Sequence, residues 1–135
     1  MIPGTAARVP LSTNEAINEQ IREQTNANIR HYTQASADVI EQRLQELDRE
    51  WDIERTLEAN AATVVLVGVG LGALVNRKFF AIPAIVGGFL LQHAVQGWCP
   101  PLPIMRRMGV RTVWEIERER SALRAALRQA QARAV

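Results

Sequence analysis

Three segments of the chain repeat apolar residues at helical spacing, and two run apolar without interruption. The first repeat places Ile17, Ile21 and Ile29 on one stripe, joined by Tyr32, on a face otherwise rich in Asn, Gln and Thr. So thin a stripe needs a partner surface to be stable. Ser12-Thr13-Asn14-Glu15 precedes it as a capping box, in which a hydroxyl meets the amide three residues on and the Glu reaches back. Thr33-Gln34-Ala35-Ser36 predicts a break, with Ser36 as the next N-cap and Asp38 in the first turn. The second repeat is stronger: Val39, Ile40, Leu44, Leu47, Trp51 and Leu57. The last follows a second capping box, Thr112-Val113-Trp114-Glu115, and carries Val113, Ile116, Leu123, Leu127 and Ala130 as its stripe.

Between the second and third repeats, residues 59–75 and 79–95 contain no charge, and Asn76-Arg77-Lys78 separates them. Each run spans roughly 25 Å as a helix, at the short end for a bilayer. The polar break is short enough only for a turn, so the pattern predicts a helical hairpin. The outer helices offer one thin stripe each, too little to wrap two such helices in water. A transmembrane hairpin is therefore favoured over a buried soluble one. Pro83 falls in the first turn of the second run, where proline is tolerated. Beyond Gly97, Pro100, Pro101 and Pro103 end any helix. Trp98 stands where an interfacial aromatic would, and 104–109 reads as a short helical turn at the headgroups, with Arg106 and Arg107 toward phosphates.

Charge sharpens this division. No Asp or Glu occurs between Glu58 and Glu115. Residues 1–58 hold 6 Arg against 11 acids, and residues 96–135 hold 8 Arg against 3 Glu. The overall pI of 9.3 hides that polarity, and basic clusters with interleaved aromatics are missing, so nucleic-acid binding is not expected. The stretch Met1 to Leu11 has one cation and no apolar run; it reads as a loose tail and not as a signal peptide. The single cysteine excludes an intrachain disulfide and a cysteine-cluster zinc site. Arg49, Arg55, Arg106 and Arg107 flank the hairpin's open end, against Arg77 and Lys78 in its turn, a bias that places both termini in the cytoplasm.

Several residues carry candidate chemistry. Gly68-Val69-Gly70-Leu71-Gly72-Ala73 matches a dinucleotide-binding fingerprint in letters only, because no acid follows at 86–96. Gly68 and Gly72, and Ala84 and Gly88 on the second run, read instead as small-residue faces that let helices approach, within the hairpin or across a dimer. Gln92, His93 and Gln96 are the polar residues of the second run, read either as water contacts near the interface or as an interhelical hydrogen-bond cluster. Haem ligation by His93 lacks a second ligand, and no cofactor is expected. Cys99 is read as a packed interfacial thiol or as a reactive one. Glu46, Glu50, Glu54 and Glu58 form an acidic rail, and Arg120, Arg124 and Arg128 a basic one. A hairpin returns the chain to its starting side, so the helices bearing these rails are expected to pair, within one chain or between protomers. Exposed ion pairs contribute only about 0–1 kcal/mol each, so the Leu44/Trp51 and Leu123/Leu127 stripes would have to supply most of the stability.

Glu54-Arg55, the glycine-rich first run, Gly97-Trp98-Cys99-Pro100 and Met108-Gly109-Val110 resemble the YgaP-like transmembrane domain family over roughly residues 53–112. These are small bacterial inner-membrane proteins of two short helices, in one architecture fused to a rhodanese. The resemblance implies an inner-membrane location, cytoplasmic termini and dimerisation. It implies no catalysis, because the rhodanese and its sulfur site are missing. Pro101, Pro103 and the long outer helices depart from the minimal family pattern.

The sequence thus predicts an all-α integral membrane hairpin flanked by amphipathic helices on one side. Its parts are a loose tail (1–11), an acidic region of two helices (12–58), the hairpin (59–97, turn at 76–78), a Pro-rich interfacial turn (98–111) and a basic C-terminal helix (112–135). The expected role is non-enzymatic: an interaction module or accessory subunit in the bilayer, as a homo-oligomer or within a larger membrane complex, with no small-molecule substrate. The alternative is a sulfur-handling protein that uses Cys99 as a persulfide site.

Overall fold

The computed structural model describes residues 2–135; Met1 lies outside the described residues. Every regular element among them is helical: α1 (Arg8–Leu11), α2 (Glu15–Thr33), α3 (Ala37–Arg49), α4 (Ile53–Leu74), a 3₁₀ turn (Arg77–Phe80), α5 (Ala81–Gln96), α6 (Leu102–Arg107) and α7 (Val113–Arg133). Helices α4 and α5 form the apolar hairpin, and its two limbs, α4 and the continuous helical stretch Arg77–Gln96 made of the 3₁₀ turn and α5, are long and apolar enough to cross a membrane. Very little of either apolar stretch is covered: Leu66, Val67, Leu74, Ile85 and Leu91 face outward. Helices α2, α3 and α7 pack into a headpiece at the hairpin's open end.

Two apolar cores join these parts. Val9, Ile53, Leu57, Cys99, Leu102 and Met105 fill the junction between hairpin and headpiece. Ile40, Leu47, Ile116 and Leu123 fill the bundle, with Tyr32, Leu44 and Leu127 packed at its edge. At roughly 1.5–3 kcal/mol for each fully buried large apolar side chain, these cores supply the main cohesion. Helix α3 runs antiparallel to α7: Glu50, just past the end of α3, bonds Arg111 ahead of α7, while Arg43, further back on α3, meets Glu119 further along α7. Helix α2 runs parallel to α7: Asn18 bonds Arg106, which grips Glu115 in the first turn of α7, and Asn28, further along α2, meets Glu119. The α2 N-terminus, α3 C-terminus and α7 N-terminus therefore share one end of the bundle, the end joined to the hairpin.

The caps follow the sequence in part. Thr112 and Glu115 form the predicted capping box of α7. At α2 the cap is Asn14, whose side chain accepts from the Ala16 N–H; Ser12 instead donates to the Gln96 carbonyl, so the predicted box there does not form. Ser36 precedes α3 as expected, but its side chain makes no capping bond. The second repeat does not run on as one helix. The chain turns extended at Glu50 and restarts at Ile53 with Asp52 as N-cap, accepting from Arg55 N–H. The first limb of the hairpin thus begins at Ile53, ahead of the uncharged run. This break also turns Trp51 outward, off the stripe it was assigned to.

The tail is not loose. Helix α1 docks on the hairpin exit through buried Val9, and Arg8 donates to the His93 carbonyl at 3.0 Å. Gly97 makes this approach possible: its φ is +83°, and a Cβ there would run into the Arg8 backbone. The Pro-rich turn contains a helix, α6, whose inner face is buried. Arg106 points into the protein, not toward headgroups, while Arg107 is exposed.

Candidate functional site

The chemistry-bearing side chains collect at the hairpin end of the headpiece, in two clusters of buried charge. The larger is a seam between α2, α3, α6 and α7. Glu119 is fully buried on the inner stripe of α7 and accepts from Arg43 Nε at 2.9 Å and Arg111 Nη1 at 2.6 Å. Arg111, also buried, forks onto Glu50 and reaches Thr25 Oγ1 at 3.3 Å. Arg106 grips Glu115 through two bonds of 2.8 Å and donates to Asn18 Oδ1 and the Val110 carbonyl. Two-pronged guanidinium–carboxylate pairs are the geometry in which buried charge is best compensated.

The titration behaviour reflects that balance. Burial pushes the Glu119 carboxyl up, but hydrogen bonds and charge from Arg43 and Arg111 outweigh it and hold the group below its ordinary range. Glu115 is likewise lowered: burial opposes ionisation, and Arg106 with the Thr112 amide overcomes it. Burial pulls Arg111 and Arg43 down, and their carboxylate partners more than restore them, so both end raised. Glu115, Glu119, Arg43 and Arg111 are thus held charged at neutral pH.

The smaller cluster sits where the hairpin meets α1. Glu54 on α4 takes a 2.7 Å bond from Arg8 Nη2 and lies 2.9 Å from His93 Nε2 on α5. His93 is buried, and its Nδ1 has no partner. This pair ties the two limbs of the hairpin together at their open end, and Arg8 ties α1 to both.

The predicted site residues are distributed as follows. Gly68 and Gly72 are buried, and they do pack within the hairpin: added Cβ atoms would press on Ile82 and Pro83 at Gly68 and on the Phe80 ring at Gly72. Ala84 and Gly88 are exposed and do not face α4, and nothing lies within reach of a Cβ at Gly88. Of Gln92, His93 and Gln96, His93 alone enters a side-chain pair; Gln96 contributes only its backbone carbonyl, to Ser12.

The charge rails do not pair with one another. Glu46 bonds Arg43, Glu50 bonds Arg111, Glu54 bonds Arg8 and His93, and Glu58 is exposed. Arg120 meets Asp48 at 3.1 Å and Glu117, Arg124 approaches Glu117 at 4.0 Å, and Arg128 is exposed. The break at Glu50 splits the acidic rail between two helices, which is why it cannot act as one. Helices α3 and α7 nevertheless pair within one chain, through Ile40, Leu47, Ile116 and Leu123. Leu44 and Leu127 only flank that core, and Trp51 is outside it.

Cys99 is buried in the junction core. Burial pushes its thiol up, a bond from the Leu102 amide pulls the other way, and the Glu54 charge adds to the rise. The thiol form is therefore favoured at neutral pH, the opposite of what a sulfur nucleophile needs.

Arg106, Arg111 and Glu119 were not singled out as a network by sequence reasoning. A signal existed: Glu119 occupies the apolar stripe of α7 between Ile116 and Leu123, and Asn18 and Thr25 occupy that of α2 around Ile21. Polar residues at core positions announce a partner elsewhere in the chain. The chain matches no family model, no curated protein and no solved structure.

Proposed function

We propose that this is a membrane-anchored interaction module: a two-span hairpin that fixes a rigid helical headpiece at one membrane face, where it serves as a scaffold or accessory subunit of a larger assembly. One observation carries this reading. The hairpin leaves nearly all of its apolar surface uncovered, while the headpiece attached to its open end is closed by its own core and charge seam. Apolar helices left uncovered require lipid or protein around them. The headpiece uses its buried charges on internal pairs, so outward charges remain for partners, among them Arg128 on α7 and, beside the headpiece, Glu58 on α4. Kinship with the YgaP-like transmembrane domain, an inner-membrane location and cytoplasmic termini belong to this proposal. They rest on the Gly97-Trp98-Cys99-Pro100 element and on the arginines at the hairpin's open end.

The test is extraction of the tagged chain from native membranes in mild detergent, followed by light-scattering mass. A homogeneous particle heavier than the 15.1 kDa chain, with defined stoichiometry, supports the module. Recovery of a monomer from the aqueous fraction without detergent overturns it.

A further inference from the structure

We propose that the base of the headpiece itself, and not the hairpin alone, is sunk into the lipid–water interface through a belt formed by Trp51, Trp98 and Trp114. This rests on the membrane reading of the hairpin and extends it to a surface that reading leaves unassigned.

All three tryptophans of the chain lie at the surface, 48%, 36% and 55% exposed, although indole is ordinarily among the better-buried side chains. Each stands at a junction on the hairpin end of the bundle. Trp51 lies between α3 and α4, Trp98 directly follows α5, and Trp114 is in the first turn of α7. Cross-links make these junctions one layer: the Ile53 N–H donates to the Arg111 carbonyl at 2.8 Å, and Ser12 ties α1's end to Gln96. Leu11, Ile104, Met108 and Val113 are exposed in the same layer. Apart from the hairpin and the chain's extreme ends, Val39 is the one exposed large apolar side chain outside it among the described residues.

The hairpin's length gives this layer a reason. The uncharged run of the second limb, 79–95, rises about 25 Å through the end of the 3₁₀ turn and α5, against about 30 Å of hydrocarbon. The polar turn Asn76-Arg77-Lys78 fixes the far end, so the shortfall falls at the open end, where the belt continues the apolar surface. Trp51 also carries the Arg55 guanidinium 4.4 Å from its ring centroid. An indole facing acyl chains with a cation above it suits the boundary between carbonyls and phosphates. The occupant of this surface is therefore the bilayer interface.

The experiment uses the full chain in three single-tryptophan forms, made by combining Trp51→Phe, Trp98→Phe and Trp114→Phe two at a time. Each is reconstituted into phosphatidylcholine–phosphatidylglycerol vesicles, checked by flotation, and read by fluorescence with shallow-brominated lipid and with aqueous iodide. The expected result is that all three float, are quenched by the brominated lipid and are shielded from iodide. Floating protein in which Trp51 and Trp114 respond to iodide and ignore brominated lipid overturns the belt and leaves the hairpin intact. Response of those two to neither quencher also overturns it, and points to a covering protein surface. Protein that fails to float overturns the membrane reading, and the belt with it.

Discussion

Removing the carboxylate of Glu119 is the most severe single perturbation available to the headpiece. Its side chain is 0% exposed and accepts from both Arg43 and Arg111, whose side chains are 17% and 8% exposed. In Glu119→Gln the amide cannot balance two guanidinium charges, and Arg111 is too enclosed to reach water. Breaking a buried ion pair from one side costs about 3–5 kcal/mol. Arg43 can swing outward, so Arg43→Ala forfeits a bond to a charged group, about 1.5–3 kcal/mol, discounted for its partial exposure. The order of destabilisation is therefore Glu119→Gln above Arg43→Ala, with Arg111→Ala close to the former. Thermal unfolding of the headpiece in mild detergent, followed by circular dichroism, reads this directly. One kcal/mol moves the midpoint by about 4–8 °C for domains of 60–100 residues, so Glu119→Gln lowers it by more than about 10 °C. The pH dependence has a definite sign. Glu119 and Glu115 titrate lower in the folded chain than unfolded, so their contribution is complete above the ordinary carboxylate pKa and drains away as pH falls through the folded value. A midpoint for Glu119→Gln within about 2 °C of the parent would refute the seam as a stability element.

Three further outcomes follow from the geometry. Gly68→Leu, which drives a side chain into Pro83 and Ile82, opens the hairpin and lowers the yield of monodisperse protein, whereas Gly88→Leu, with open space around it, leaves the isolated chain's fold unchanged; size-exclusion profiles in detergent compare them. Gly97→Ala forces a left-handed residue against the Arg8 backbone and releases α1, seen as faster amide exchange over residues 5–13, while Gly4→Ala, with nothing near it, does not. Cys99 reacts with maleimide at neutral pH far more slowly in the folded chain than in denaturant, because it is buried and its thiol is held protonated; equal rates would contradict its placement in the junction core.

The hairpin was legible because its signal is local and continuous: two uncharged runs and a three-residue polar break need no knowledge of the rest of the chain. The α2–α3 break and the Thr112–Glu115 box were legible for the same reason. The break at Glu50 was not. It is held by Arg111, 61 residues away, and by the backbone bond from Ile53 to the Arg111 carbonyl, neither of which leaves a periodic mark. The acidic rail misled because a spacing of four is meaningful only within one helix. The docking of α1 was hidden likewise, since Pro3, Gly4 and Pro10 read locally as a tail while its anchors, Glu54 and His93, lie on distant helices. Arg106 illustrates the general point: a cation beside a hairpin exit looks lipid-facing until Glu115 and Asn18 are known to lie behind it.

The most direct measurement is sidedness of the two ends of the hairpin. In a Cys99→Ser background, Arg77→Cys in the turn and Arg128→Cys on α7 are probed in intact cells, with the outer barrier opened, using a membrane-impermeant maleimide. A membrane-crossing hairpin with a cytoplasmic headpiece predicts labelling of the turn from outside and of α7 only after the membrane is permeabilised. Labelling of both positions from the same side would contradict the span.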